Sequence, residues 1–237
     1  RLQSSLQEAY SQTDQALSVA KEEETQRKHS DKLLNNILPA IISERLKKGE
    51  SSIAESFPEV TVLFADIVGF TRLSEELGPR QLVSMLNEVF GRFDELAVLY
   101  KLEKIKTIGD CYMVVGGVPD RSPTHCQQVA DFAIAARESI MAYSKDWGKP
   151  LDIRIGIHTG TVVAGVVGKQ KYTYDLWGDV VNIASRMESS GMPGEIHVTE
   201  TVHLRLVDDF SFESRGSIEI RSKGKLNTYF LKGKRNG

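Results

Sequence analysis

The chain has 237 residues and a formal net charge of -2, with 41% hydrophobic and 26% charged residues, the balance of an ordinary water-soluble globular protein. That charge supplies no basic field for nucleic acid or anionic lipid, and two cysteines cannot build a disulfide framework. No apolar run approaches the roughly 20 residues a membrane helix needs. One good-sized domain with an appendage is expected, in a reducing, cytoplasmic setting, and the start at Arg1 without an initiator Met predicts a piece of a longer protein.

The first stretch, Arg1 to about Lys32, is polar and free of Pro and Gly. Leu6, Tyr10, Thr13, Leu17 and Ala20 alternate steps of four and three, the seam of a weak parallel coiled coil that then runs into Glu23-Glu24-Thr25. A solvated single helix is the plainer alternative. Leu33, Leu34, Ile37, Leu38, Ile41, Ile42 and Leu46 form a stronger amphipathic face, with a bend expected at Leu38–Pro39 because Pro lacks a backbone donor. Lys47-Lys48-Gly49-Glu50-Ser51-Ser52 reads as a linker, which divides the chain into an N-terminal helical segment, 1–50, and a globular domain, 55–237.

Within that domain the spacing predicts a strand over Val60–Ile67 and a helix over Arg80–Tyr100. A hairpin of Ile105–Ile108 and Tyr112–Val115 follows about Gly109-Asp110, then a helix over Gln127–Tyr143 and strands over Leu151–Val167. This is the ferredoxin-like βαββαβ order. A helix over Val180–Glu188 and strands at Ile196–Val198, Phe210–Phe212 and Thr228–Leu231 are appended. The fold class is α+β, with one open, antiparallel-rich sheet.

Three constellations carry chemistry. Asp66 ends the first apolar strand and Asp110 sits at the hairpin tip, so a ferredoxin-like sheet can bring both carboxylates to one edge. Such a pair suits Mg²⁺ or Mn²⁺, hard ions that keep waters and accept phosphate oxygens, although Asp beside Gly is also an ordinary turn former. The segment Ile67-Val68-Gly69-Phe70-Thr71 joins that strand to a helix start, where free N–H groups can meet an anion. Asn182 and Arg186 lie four apart on one helix face, an amide that can orient a sugar and a guanidinium that can meet charge on a phosphoryl group. Taken alone, that helix is equally an ordinary solvated one.

The strings Phe64-Ala65-Asp66-Ile67-Val68-Gly69-Phe70-Thr71, Lys104-Ile105-Lys106-Thr107-Ile108-Gly109-Asp110 and Leu176-Trp177-Gly178-Asp179-Val180-Val181-Asn182-Ile183-Ala184-Ser185-Arg186-Met187 resemble the class III adenylyl/guanylyl cyclase family. Leu34-Asn35-Asn36-Ile37-Leu38-Pro39 resembles the signal-passing linker that precedes many such domains, so the likeness runs from about residue 33 to the end. It implies that Asp66 and Asp110, with the Ile67 backbone, bind two divalent metal ions, Mg²⁺ or Mn²⁺. It also implies that the backbone of Ile67, Val68, Gly69, Phe70 and Thr71 holds phosphates, that Asn182 positions the ribose, and that Arg186 stabilises the pentacoordinate phosphorus. In Arg221-Ser222-Lys223-Gly224-Lys225 the chain departs from the family pattern: Arg221 stands where a phosphate-binding Lys is expected, with Lys223 as the near alternative. The resemblance further implies a head-to-tail homodimer, an inactive lone protomer, and an upstream sensor as the input of the N-terminal helix.

Lys106 and Asp175 bear on the base. Adenine offers an acceptor at N1 and a donor at its amine, which an ammonium and a carboxylate satisfy; guanine has the opposite polarity. Guanylyl cyclases of the family carry Glu and typically Cys at these positions, so the expected reaction is ATP to cyclic AMP and pyrophosphate. Three rivals stand beside it: a guanylyl cyclase, a catalytically silent dimerisation module of the same fold, and a diguanylate-cyclase or polymerase-palm enzyme on a related sheet, whose sequence signature is lacking here. His158 is read as structural, and the five His and two Cys show no zinc spacing.

Overall fold

A computed structural model describes residues 2–168, 170–220 and 223–235, with side chains from Leu17 onward. The chain divides into two compact units, 1–53 and 54–237. The first holds α1 (Leu2–Asn35) and α2 (Ala40–Lys47). The bend expected at Leu38–Pro39 is a full break: residues 36–39 leave the helix and Pro39, with ψ 141°, caps α2 in extended geometry. The chain then reverses, since Lys47 reaches Asp31 at 2.6 Å and Ser43 donates to Asn35 at 2.5 Å. A continuous helix would hold Lys47 and Asp31 roughly 24 Å apart. Of the expected coiled-coil seam, the side chains of Leu6, Tyr10 and Thr13 lie outside the described residues, while Leu17 and Ala20 are exposed.

The second unit is built on an eight-stranded sheet. Its elements are β1 (Ala54–Ile67), α3 (Phe70–Glu76), α4 (Pro79–Leu99), β2 (Glu103–Ile108), β3 (Cys111–Gly116), α5 (His125–Trp147), β4 (Ile153–Val167), β5 (Thr173–Trp177), α6 (Asp179–Ser189), β6 (Ile196–Thr199), α7 (Glu200–Leu206), β7 (Phe210–Ile220) and β8 (Gly224–Lys234). The spatial order is β2-β3-β1-β4-β6-β8-β7, with β5 pairing the far half of β4. All pairs are antiparallel except β4 with β6. The first four strands thus take the ferredoxin-like arrangement, and β7–β8 extends the sheet as a hairpin longer than the short strands expected at Phe210–Phe212 and Thr228–Leu231. Strand β5 and helix α7 fall where the sequence shows no clear periodicity.

The core explains why β1 reads as a nearly continuous apolar run: it is covered on both faces. On one face Leu63, Ala65 and Ile67 meet Tyr112 and Val114 of β3, together with Met85, Val89, Phe93 and Ala97 of α4 and Val129, Phe132 and Ala136 of α5. Phe93, Tyr112 and Phe132 form an aromatic triad with ring centroids 5.4 to 6.4 Å apart. On the other face α6 lies against β4 with Ile183, Ala184 and Met187 buried. Gly156 permits that approach, since a Cβ there would stand 2.0 Å from the Glu188 backbone nitrogen and 2.5 Å from the Ala184 carbonyl oxygen.

Candidate active site

Asp66 is the penultimate residue of β1, opposite Cys111 of β3 on one side and Arg154 of β4 on the other. Asp110 occupies the tight hairpin turn beside Cys111, which Gly109 makes feasible at φ +64°. The two carboxylates are therefore neighbours at the sheet edge. Burial raises the Asp110 carboxyl above its ordinary range, and the charge of Asp66 adds to the effect. A pair that already holds charge against itself is a donor set a dication relieves, so Asp66 and Asp110 fit Mg²⁺ or Mn²⁺. Among the described residues no group of three or more His, Cys, Asp or Glu gathers to hold a metal. Burial, then the nearby carboxylates, push the Cys111 thiol up to about 12.

Around the carboxylates lie two residues that the sequence reading did not single out. Arg154 Nη2 stands 2.8 Å from Asp66 Oδ2 and 3.2 Å from Glu188 Oε1 on α6. Glu188 is buried, and burial followed by the Asp66 charge pushes its carboxyl up to about 7. Both left a sequence signal, a charge inside the apolar run Ile153-Arg154-Ile155 and a charge on the apolar face of an amphipathic helix.

The loop after Asp66 turns into α3 at Gly69, which has φ +71°. The Val68 N–H donates to the Asp152 carbonyl at 2.9 Å, so within Ile67–Thr71 that amide is already committed. The first-turn amides of Phe70 and Thr71 have no intrahelical acceptor.

Lys106 and Asp175 meet in an ion pair, and the Leu176 N–H donates to the other Asp175 oxygen at 2.9 Å. A β-bulge precedes Lys106: Lys104 pairs with Val114 and Lys106 with Met113, leaving Ile105 unmatched. Two residues that a regular strand would place on one face are thereby sent to opposite ones. Lys104 turns to α4, where it reaches Asp94 at 2.7 Å, and Asp94 in turn accepts from the Tyr112 hydroxyl at 2.7 Å. Lys106 is left as the ammonium on the face that also carries Asp66 and α6.

Asn182 and Arg186 lie on the exposed side of α6, opposite its buried Ile183, Ala184 and Met187. Among the described residues neither side chain has a hydrogen-bond or ion-pair partner. The residues thus gather into three groups: the carboxylate pair, the Lys106–Asp175 pair, and the outward face of α6. Lys223, in the turn before β8, is ion-paired with Asp179 at 2.8 Å, and Arg221 lies outside the described residues. His158 is buried against the Thr199 hydroxyl at 2.8 Å, as a structural residue should be. Among the described residues no helix is long and apolar enough to cross a membrane.

A family profile described as the adenylate and guanylate cyclase catalytic domain matches residues 53–233. A protein named adenylate cyclase from Mycobacterium tuberculosis is 46% identical over 213 residues, covering 90% of this chain and 48% of that protein. The guanylate cyclase soluble subunit beta-2 of Rattus norvegicus is 44% identical over 208 residues, covering 87% of this chain and 30% of the relative. The chain therefore spans about half or less of the length of these curated relatives. Among solved structures, the catalytic core of a rhodopsin-guanylyl cyclase with converted specificity, in complex with ATPalphaS, superposes with a TM-score of 0.73 at 35% identity, covering 76% of this chain and 98% of that one.

Proposed function

The chain belongs to the adenylate and guanylate cyclase catalytic-domain family, and we propose that it cyclises ATP to 3′,5′-cyclic AMP and pyrophosphate as a homodimer. The observation that carries the choice of nucleotide is the Lys106–Asp175 pair. With adenine between them, the Lys106 ammonium donates to N1 and the Asp175 carboxylate accepts from the exocyclic amine. Leu176 N–H fixes one Asp175 oxygen and leaves the other for the base. Guanine would set its N1–H against the ammonium and its O6 against the carboxylate, leaving buried polar groups unpaired, which costs up to about 10⁴-fold in discrimination.

In the reaction the ribose 3′-oxygen forms a bond to the α-phosphorus, the bond to the bridging oxygen of pyrophosphate breaks, and the hydroxyl proton is released. Asp66 and Asp110, with the Ile67 carbonyl, would hold two divalent ions, which supply Lewis-acid stabilisation of the attacking and departing oxygens. Asn182 orients the ribose, and Arg186 meets the charge that grows on the phosphorus oxygens. Amides of the Gly69–Thr71 turn, and Lys223 or Arg221, take the phosphates. What supports a two-chain site is the state of α6: its Asn182 and Arg186 are exposed, and among the described residues neither side chain has a hydrogen-bond or ion-pair partner. The helices before the domain are read as the segment that brings in an upstream signal.

The test is turnover of ATP by the purified chain with Mn²⁺ or Mg²⁺, beside Asp66→Ala and Arg186→Ala. Cyclic AMP from the parent and a loss of roughly 10²-fold or more in each variant, with thermal stability retained, is the expected result. No product from the parent under any metal would make the chain a silent module of the family.

A further inference from the structure

Arg215 interrupts the pairing of β7. Ser214 pairs with Tyr229 and Gly216 with Thr228, so Arg215 has no opposite residue on β8, and Gly216 at φ +92° supplies the backbone the bulge needs. One extra residue reverses the face that alternation assigns to the rest of the strand. Phe212, before the bulge, packs on the main core. Ile218 and Ile220, after it, pack with Leu226 against Ile183 and Met187 of α6. The bulged side chain goes to the same helix: its Nη2 donates to the Ser190 carbonyl at 2.7 Å, and its guanidinium lies 5.9 Å from the centroid of the Phe230 ring.

Ser190 caps the C-terminus of α6. Its N–H and its hydroxyl both donate to the Arg186 carbonyl oxygen, at 3.0 and 2.7 Å. The contacts therefore run from Arg215 through Ser190 to the backbone of Arg186, and a cation closes the helix end whose last carbonyls lack intrahelical donors. At the other end of α6, Lys223 in the turn of the same hairpin meets Asp179 at 2.8 Å. That pair is exposed and worth little in water, whereas Arg215 serves a half-buried carbonyl.

We propose that Arg215 is a positioning residue, which from a bulge in β7 fixes the last turn of α6 and so the direction in which Arg186 is presented. The inference rests on the reading of Arg186 as the group that meets charge on the phosphorus oxygens. The Arg186 side chain is exposed and has no hydrogen-bond or ion-pair partner among the described residues, so its aim is set by its backbone. A reacting group misplaced by about 1 Å can lose on the order of 10²-fold in rate. An interaction made only in the transition state is lost from kcat and leaves KM nearly unchanged. A contact that merely fastened β7 to the domain would lower stability and leave kcat per folded molecule intact.

The experiment is kcat and KM for ATP with Mn²⁺, beside amide hydrogen exchange without nucleotide, on the parent, Arg215→Met, Arg215→Lys and Arg186→Ala. Arg215→Met should lower kcat roughly tenfold or more with KM within about threefold of the parent. Its amides over 186–191 should exchange faster, with those of β4 unchanged. Arg215→Lys, which keeps a cation at the helix end, should recover most of the loss. Unchanged exchange over 186–191, or a kcat within about twofold of the parent while Arg186→Ala is nearly inactive, would overturn the positioning role. Exchange that rises throughout the sheet would also overturn it, making Arg215 a strut of the whole domain. If the parent makes no product or Arg186→Ala keeps full activity, the reading of Arg186 fails, and this inference with it.

Discussion

Lys106 on β2 and Asp175 on β5 are ion-paired although three strands separate them in the sheet. Neither residue needs the other to complete its strand, so the contact reflects the surface they share. Exchanging their polarity should exchange the base. Lys106→Glu with Asp175→Cys is expected to lower kcat/KM for ATP by roughly 10²-fold or more and to raise it for GTP. The two rates, measured separately on each nucleotide, decide it. Equal losses on both would mean the pair is structural.

A site shared between two chains predicts complementation. Asp66→Ala and Arg186→Ala homodimers should each be nearly inactive, for lack of opposite halves. Mixed in equal amounts they should recover about a quarter of the parent activity, since half the dimers are mixed and each has one intact site. Activity that stays at the level of the single variants after subunit exchange would place the whole site within one chain.

Gly156→Ala should be the most damaging single methyl in the domain. Its Cβ would sit 2.0 Å from the Glu188 nitrogen, a backbone atom that cannot step aside without moving α6. A loss of about 3 kcal/mol or more is expected, measured by urea unfolding, together with a fall in activity because Asn182 and Arg186 ride on that helix. Gly69→Ala meets nothing within 4 Å, and its cost should come only from the left-handed backbone.

Acid should weaken the fold through its buried histidines. Burial pushes His197 down to about 4, and its Nε2 has no partner, while its Nδ1–H donates to the Met187 carbonyl at 2.7 Å. Its ordinary value is 6.5, so between those limits the unfolded chain takes up a proton that the folded one refuses. The stability from the neutral ring is full above pH 6.5 and is lost as pH falls toward 4, by roughly 2–3 kcal/mol. Glu188, raised to about 7, titrates with the opposite sign in part of that window. The difference between parent and His197→Gln in Tm across pH 4–6.5 isolates the histidine, and parallel curves would contradict the argument.

Much of this architecture is legible because its signals are local. Period-2 and period-3.6 patterns mark β1, α4, the β2–β3 hairpin and α5, and Gly109-Asp110 marks the turn that carries a carboxylate to the edge where β1 ends. The β5 strand and α7 escape that reading because each is short, with five and seven residues, and its burial depends on partners distant in sequence. The Lys106–Asp175 pair is invisible to periodicity, since a bulge at Ile105 reverses the face that alternation assigns to Lys104. Arg154 and Glu188 lie inside an apolar strand and on an apolar helix face, and only the packing of α6 over β4 shows that they answer each other and Asp66.

The Lys106–Asp175 pair is expected to make this domain select ATP. That selection is tested most directly by offering equal concentrations of ATP and GTP to the purified chain in one reaction with Mn²⁺ and counting cyclic AMP against cyclic GMP. Cyclic AMP is expected in large excess, by roughly 10²-fold or more. Cyclic GMP in equal or greater amount would contradict it.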